Sequence, residues 1–527
     1  MKREYLLTSE SVSEGHPDKI ADQISDAVLD GYLVENPLTR VACETIVGKG
    51  LIIVTGEVTS NSHIQIPLIA HCVLNEIYRG SPPSLLSPHS WEWGVMTSIK
   101  RQSSEIQKSI NLKDNELCAG DQATVFGYAT NETPELMPLG ISLAHKLMQK
   151  QAELRKKRRL DWLGADGKTQ ITVRYAGTKP VAVERVVFST QHYPDISHEK
   201  IEEAVISEII EKVIPEELRA ADIEYLVNPG GSFVIGGPDA DTGLTGRKIM
   251  VDTYGPSCPH GGGAFSGKDP TKIDRSGAYM ARYIAKNIVA AWLAERCTVQ
   301  LSYAIGRAQP LYLALNLHDT GRVDEGKLTE AVHQIFRLTP MGIIEMLNLR
   351  RSIYLETAAY GHFGRELPNF TWERRDKVAE LKNYFDIPLD ETEKNNHSEA
   401  LPGADSDNSP VPEIRPARIY PCLVTQTDNA AYGWMPITYD WTPVIFVPKD
   451  KIKPEKDELT IVLEKPYKDG KLTESARKEV VTIVSWLAGK KGLRTCAVFD
   501  EKDCVFCEPD GSMEQSDTPP SQDILME

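Results

Sequence analysis

The chain has 527 residues, 41% of them hydrophobic, and a formal net charge of -16: enough apolar material for large cores, and a charge that argues against general nucleic-acid or membrane-surface binding. Any cluster of Lys and Arg must therefore be local, with an anionic small molecule as its natural partner. The first residues lack the apolar core of a signal peptide, no apolar run approaches the roughly 20 residues of a membrane span, and nine scattered cysteines fit reduced thiols, so a cytoplasmic globular protein is expected.

Gly15-His16-Pro17-Asp18-Lys19 opens a predicted helix, with Pro17 in its first position and Ile20, Ile24, Ala27 and Val28 as its buried stripe. An imidazole, a carboxylate and an ammonium at a helix N-terminus can bind a phosphate with its metal; an ordinary cap with solvated charges fits the same pentapeptide. Residues 40–47 and 51–57 read as strands joined by the hairpin signal Gly48-Lys49-Gly50, and carry Glu44 and Glu57, which alone would be wet-face acids. A helix is expected over 67–79 and an irregular loop over 81–90. Residues 100–116 are polar and lead into Gly120-Asp121-Gln122 and the apolar Val125-Phe126-Gly127-Tyr128; a lid and a plain solvated connection both fit.

Further on, a helix is expected over 143–159, ending in the solvated run Lys156-Lys157-Arg158-Arg159, then a strand over 181–190, an amphipathic helix over 196–214 and a strand starting at Phe233-Val234-Ile235. The turn from Gly236 to Lys248 is Gly-rich, ends in Arg247 and Lys248, and reads as leading into a strand at Ile249-Met250-Val251. The most informative stretch is His260-Gly261-Gly262-Gly263-Ala264-Phe265-Ser266-Gly267-Lys268-Asp269-Pro270-Thr271-Lys272-Ile273-Asp274-Arg275. Three glycines permit close approach to an anion, Asp269-Pro270 signals a helix start, and Lys268, Lys272 and Arg275 crowd positive charge there. It reads as a polyphosphate site but not a Walker A loop, because Asp269 stands where a Ser or Thr hydroxyl is needed and no apolar strand leads into the glycines. A long helix over 270–296 and strands over 298–305 and 311–317 complete the pattern.

These segments carry Thr8-Ser9-Glu10-Ser11-Val12-Ser13-Glu14 before Gly15, Ala42-Cys43-Glu44-Thr45, Gly127-Tyr128-Ala129-Thr130-Asn131-Glu132, Ser189-Thr190-Gln191-His192, Gly243-Leu244-Thr245-Gly246-Arg247-Lys248 and Glu356-Thr357-Ala358-Ala359-Tyr360-Gly361-His362-Phe363-Gly364-Arg365. In this order they resemble the methionine adenosyltransferase, or S-adenosylmethionine synthetase, family over about residues 5–385. The resemblance implies an α/β fold of the α+β type, with three similar subdomains of mixed sheets packed with helices, placed at 1–105, 106–240 and 241–385. It implies a transferase in which methionine sulfur attacks C5′ of ATP and the released tripolyphosphate is hydrolysed. Two Mg²⁺ ions, K⁺ and a homodimer or homotetramer with sites at the subunit interface are implied with it. A non-catalytic ATP-binding paralogue and an adenosyltransferase for a methionine analogue are the alternatives.

By the same resemblance, His16, Lys168, Arg247, Lys248, Lys268 and Lys272 look like polyphosphate and leaving-oxygen contacts. Asp18 and Asp274 look like Mg²⁺ ligands and Glu44 like the K⁺ ligand. Ser232, Phe233, Asp166 and Ala264 fall in the nucleotide site, with Phe233 stacking on adenine. Glu57, Gln102, Asp121, Asp241 and Lys272 fall among the methionine and ribose contacts. This chain departs from the family at Lys100-Arg101-Gln102-Ser103-Ser104-Glu105-Ile106, where the family usually reads Gly-Lys-Gln-Ser-Pro-Asp-Ile, at Ala123, at Ser232 and over residues 87–93.

Residues 386–418 are rich in Asp, Glu, Ser, Asn and Pro and read as a solvated linker. An added α+β domain is expected over 419–507, with strands at 422–425, 443–447, 459–463 and 495–499 and a helix over 473–489, followed by a disordered tail. Cys504 and Cys507, with Cys422 and Cys496, read as ordinary thiols rather than half a zinc site, since no second CxxC exists.

Overall fold

The computed structural model describes residues 4–79, 81, 93–101 and 117–389, and beyond these only short strands between residues 420 and 516. The chain divides into two compact units, Met1–Asn408 and Ser409–Glu527. In the first unit the elements are β1 (Glu4–Val12), α1 (Pro17–Glu35), β2 (Arg40–Gly48), β3 (Leu51–Thr59), α2 (Ile66–Tyr78), β4 (Gly94–Lys100), β5 (Ala123–Thr130), α3 (Leu139–Lys156), β6 (Leu163–Ala176), β7 (Lys179–His192) and α4 (His198–Val205). Then follow β8 (Arg219–Val227), β9 (Gly243–Leu244), α5 (Ile249–Asp252), α6 (Ile273–Ala290), β10 (Arg296–Tyr303), β11 (Tyr312–Asn316), α7 (Glu325–Ile335), α8 (Pro340–Met346) and α9 (Val378–Tyr384).

Three sheets organise this unit, in the orders β1-β6-β7-β8, β4-β3-β2-β9 and β11-β10-β5. The first two are mixed, because β7 and β8 run parallel, as do β3 and β4. The architecture is α/β with several sheets, as the motifs imply. The sheets do not follow contiguous spans of the chain, however: β1 joins the sheet of residues 163–227, β9 joins the N-terminal hairpin, and β5 pairs with β10. Such exchanges place short loops from distant sequence side by side, which is how the site is assembled.

The hairpin, α2, α3 and the strands near 300 and 315 form where periodicity places them. Five expectations change. Helix α1 shows no single buried stripe; residues 17–33 are all buried, so its charged residues must find partners inside the protein. Residues 233–235 form no strand. Ile249–Asp252 is one helical turn rather than a strand, closed by Asp252 N–H on the Lys248 carbonyl at 2.8 Å and by Thr253 Oγ1 on the Ile249 carbonyl. Helix α6 starts at Ile273, capped by Lys272, and ends before Trp292, whose φ of +61° takes the chain out of the helix. The helix of residues 196–214 is broken by a π turn at Ile206–Ile210.

The core of the first two sheets is reached by helices from one side: Ile20, Ile24 and Val28 of α1 pack with Val41, Val47, Ile52 and Val54, and Leu143, Leu147 and Met148 of α3 with Ile171, Val173 and Val186. In the second unit, Tyr420–Val424 pairs with Ala431–Met435, Tyr467–Lys468 with Lys471–Leu472, and Thr495–Asp500 with Asp503–Cys507. Met513–Ser516 adds a third strand to the last pair, so the expected disordered tail contains a strand. Gln102, most of residues 100–116, and the strands and helix expected over 443–489 lie outside the described residues, as do the side chains of Cys422, Cys496, Cys504 and Cys507.

Candidate functional site

Helix α1 begins at the centre of the site. His16 is its N-cap and accepts the Asp18 N–H on Nδ1 at 3.1 Å, which leaves the ring proton of the neutral imidazole on Nε2. Burial and the nearby Lys248 ammonium lower the His16 pKa from 6.5 to about 4, with Lys168 and Lys19 adding to the effect. The ring is therefore a neutral hydrogen-bond donor at physiological pH.

Asp18 is buried beside it. Its carboxylate receives Lys248 Nζ at 2.6 Å and the Leu244 N–H at 3.0 Å, with Arg247 Nε at 3.6 Å. Burial works to raise its pKa, but these partners hold it below the usual carboxylate value. The turn that carries Arg247 and Lys248 is docked on the N-terminal sheet through Thr245, whose N–H reaches the Thr45 carbonyl at 3.1 Å and whose Oγ1 accepts the Thr45 N–H at 2.8 Å.

The Gly-rich stretch lies against the same sheet. Cys43 N–H donates to the Gly267 carbonyl, Asp269 N–H to the Val41 carbonyl, and Ala42 bridges Lys268. Two of the three glycines are required by packing within the protein: a Cβ on Gly261 would lie 1.6 Å from the Thr124 carbonyl oxygen, and one on Gly263 would lie 2.3 Å from the Asp274 carboxylate. Lys268 Nζ is 2.7 Å from Asp274 Oδ2, and Lys272 Nζ is 2.5 Å from Asp269 Oδ2. The Asp269 side chain, which also accepts the Val41 and Thr271 N–H groups, is thus a structural anchor.

Not every expected cation faces the site. Arg275 is buried in a bidentate pair with Asp26, at 2.6 and 2.9 Å, and also donates to the Phe265 and Lys268 carbonyls. Lys19 is buried between Asp22 and Asp252. Both are internal supports and not phosphate contacts; an Arg or Lys on a fully buried helix must be paired inside.

The residues expected at the nucleotide gather around residues 233–237. Asp166 of β6 accepts the Gly237 N–H at 2.8 Å, and burial pushes its carboxyl up to about 6. Phe233 is held through His192: the His192 N–H donates to the Phe233 carbonyl at 3.0 Å, and Nε2 accepts the Phe233 N–H at 2.9 Å. A Cβ on Gly236 would lie 3.1 Å from both Asp166 Cβ and Phe233 Cε2, so these two side chains flank the same bend. Ser232 is exposed beside it, and Ala264 abuts Gly246. Lys168, also on β6, lies 3.3 Å from Glu10.

The residues expected to meet methionine and K⁺ are arranged differently. Glu44 and Glu57 lie on the outer face of the N-terminal sheet, where Glu57 is paired with Lys100 at 3.3 Å. Asp121 and Asp241 are exposed and accept the N–H of the following residue, Gln122 and Thr242. Among the described residues no hydrogen bond or ion pair joins Glu57, Asp121 or Asp241 to the cation cluster, nor do three metal-binding side chains converge on one point.

Models of the N-terminal, central and C-terminal domains of S-adenosylmethionine synthetase match residues 4–104, 116–233 and 235–374. The chain belongs to the S-adenosylmethionine synthetase family. It is 51% identical over 387 residues to an S-adenosylmethionine synthase of Wolinella succinogenes and 52% to one of Nitratiruptor sp., each alignment covering 73% of this chain and 100% of the relative. A Helicobacter hepaticus S-adenosylmethionine synthase matches at 51% over the same length. The motifs assign no role to the internal supports of the site: Asp22, Asp26, Asp252, His192 and the Glu14–Arg155 pair at 2.5 Å. For the first two a signal existed: aspartates at 18, 22, 26 and 30 share one face of a helix rich in apolar residues.

Proposed function

We propose that this enzyme joins ATP and L-methionine to form S-adenosylmethionine. The methionine sulfur lone pair forms the S–C5′ bond as the C5′–O bond breaks, and the electron pair leaves with the bridging oxygen of tripolyphosphate. Water then cleaves tripolyphosphate to pyrophosphate and phosphate. A thioether needs no general base, so the work falls to positioning and to stabilising charge on the leaving oxygen.

The observation that carries this reading is the cluster itself. Lys248 on Asp18 and Lys268 on Asp274 are cations delivered by two separate loops, with a neutral His16 donor at the N-terminus of α1 beside the first pair. In the reading, Arg247, Lys248, Lys268, Lys272 and Lys168 take the polyphosphate oxygens and His16 Nε2–H the leaving oxygen. Phe233 and Asp166 hold the adenine end, with Ser232 and Ala264 beside it. Glu57, Gln102, Asp121 and Asp241 take methionine and ribose.

Asp18 and Asp274 would hold Mg²⁺ and Glu44 K⁺. Separate carboxylates beside a phosphate site suit Mg²⁺, which is commonly bound through one or two carboxylates and substrate phosphates rather than in a protein cage. When bound, the ions supply counter-charge to the triphosphate. The outer sheet face that carries Glu44 and Glu57 also exposes Ile46, Leu51 and Met96, which supports a second copy covering it in a homodimer. Incubation with ATP and methionine, with separation of the products, tests the activity. S-adenosylmethionine, pyrophosphate and phosphate in equal amounts are expected; ATP binding without product would refute it. Sedimentation at the mass of a single chain would refute the dimer.

A further inference from the structure

Helix α1 carries an aspartate at every fourth position from 18 to 30, and each one reaches a backbone N–H of a segment more than 220 residues away. Asp18 takes Leu244 at 3.0 Å, Asp22 takes Gly246 at 2.8 Å, Asp26 takes Gly267 at 2.8 Å, and Asp30 takes Tyr354 and Leu355 at 3.0 and 2.8 Å. One helical turn separates successive aspartates, about 6 Å along the axis. The helix thus acts as a rail on which both cation-bearing loops are hung.

We propose that Asp22 is a positioning residue for the reaction, its carboxylate fixing the turn that presents Arg247 and Lys248 to the triphosphate; this rests on the reading of those two cations given above. Asp22 is fully buried and cannot touch substrate. Its Oδ1 holds the Gly246 N–H immediately before Arg247. Its Oδ2 holds Lys19 Nζ at 2.9 Å, and Lys19 reaches Asp252 Oδ1 at 2.5 Å, at the end of the helical turn that follows Lys248. One carboxylate therefore fixes the Arg247-Lys248 pair from both sides. The turn has little slack: Gly246 sits at φ +80°, and a Cβ there would lie 2.5 Å from Ala264 Cβ, so a displaced Gly246 presses on the Gly-rich loop that carries Lys268.

A positioning role depends on the length of the side chain, whereas a role as counter-ion to Lys19 depends on its charge. Burial, opposed by Lys19 and reinforced by Asp252, pushes the Asp22 carboxyl up to about 7. An amide at this position can aim its single oxygen at the Gly246 N–H, while Lys19 keeps Asp252 as its counter-ion. Asp22→Glu keeps the charge and moves the acceptor by about one bond length; Asp22→Asn keeps an acceptor for the Gly246 N–H and removes both the charge and the acceptor for Lys19, which stays on Asp252.

The expected result is a kcat about 10- to 100-fold lower in Asp22→Glu, since a misplacement of about 1 Å can cost that much, with KM for methionine within about twofold and kcat restored to within about threefold of wild type in Asp22→Asn. Wild-type kcat in Asp22→Glu, or equal losses in both variants, overturns the proposal. Should Asp22→Glu not fold, Asp22→Ala shortens the side chain and leaves Lys19 on Asp252. A kcat loss of the same size with faster hydrogen exchange across residues 243–252 is then expected, and unchanged kcat and exchange overturn the proposal. Lys248→Ala separates the two levels: full activity there refutes the triphosphate reading of the turn, while a large loss there beside an unaffected Asp22→Glu refutes only the positioning role.

Discussion

Asp166 supplies a test of the proposed nucleotide pocket that needs no substrate. The residue is 7% exposed, accepts the Gly237 N–H, and has its pKa raised by burial from 3.8 to about 6. Because the folded value lies above the unfolded one, the folded protein holds this proton more tightly. The stability associated with it is full below about pH 3.8 and is lost as pH rises through about 6. The difference between 3.8 and about 6, at about 1.4 kcal/mol per tenfold, puts the cost of ionising buried Asp166 at about 3 kcal/mol above pH 7. Asp166→Asn keeps an oxygen acceptor for Gly237 and cannot ionise. Its stability relative to wild type should therefore improve by about 2 kcal/mol between pH 4.5 and 7.5. Every other titrating group is common to both proteins and cancels in that difference. Calorimetric melting of both proteins across this range measures it. A melting-temperature difference that is flat with pH, or that moves against the variant as pH rises, would show that Asp166 titrates normally and that the pocket is wetter than its burial implies.

Lys268→Ala should lower kcat by about 10² or more with the fold intact, since in the proposed reading it removes a cation that meets the leaving group; unchanged turnover would remove the Gly-rich stretch from the reaction. His16, whose folded pKa is lowered to about 4, should stay neutral in the substrate-free enzyme through pH 5. The stability it contributes is present above about pH 6.5 and lost as pH falls through about 4, so an NMR titration showing protonation near 6.5 would refute the buried donor. A chain ending at Leu389 should retain S-adenosylmethionine synthesis, because the matched relatives are covered over their entire length by 387 residues of this chain and Ile387 packs on the core; a soluble but inactive product would assign the extension a part in the reaction.

The sequence was most legible where local rules suffice. Pro17 after a capping residue, the Gly48-Lys49-Gly50 hairpin and the periods of α2 and α3 all identify real elements. The cation motifs were legible too, because the excess of negative charge makes clustered Lys and Arg stand out. It was least legible where tertiary partners override local preference. Ile249-Met250-Val251 has strand composition, yet it follows Lys248, which is fixed on Asp18, and leads to Asp252, which is fixed on Lys19, and the intervening residues close into a helical turn. Arg275 shows the same limit: its spacing places it with Lys268 and Lys272, but helix α6 turns it inward to Asp26. The direction in which a cation points is set by burial of the helix that bears it, and spacing alone does not encode that.

The way the site is charged bears on how it can work. Lys248, Lys268 and Lys272 sit on Asp18, Asp274 and Asp269, so these three cations of the proposed reaction are paired before substrate arrives. Gathering unpaired ammonium groups on two packed loops would cost several kcal/mol per buried ion, and pairing removes that cost. The pairs are of two kinds. Asp269 is fully buried and tied to the Val41 and Thr271 backbone, so it holds its place whatever Lys272 does. Asp274 is about as exposed as Lys268, with side-chain exposures of 27% and 25%, and can change partners without opening the core. Asp18 lies between these cases, buried but with Lys248 reaching it from the partly open side. In the proposed reading a triphosphate entering here would compete with carboxylates for the same ammonium groups, and would win where it brings more charge and leaves the displaced carboxylate a cation of its own. Mg²⁺ held at Asp18 and Asp274, as proposed, would meet that requirement, and it is not needed at Asp269, whose backbone partners remain.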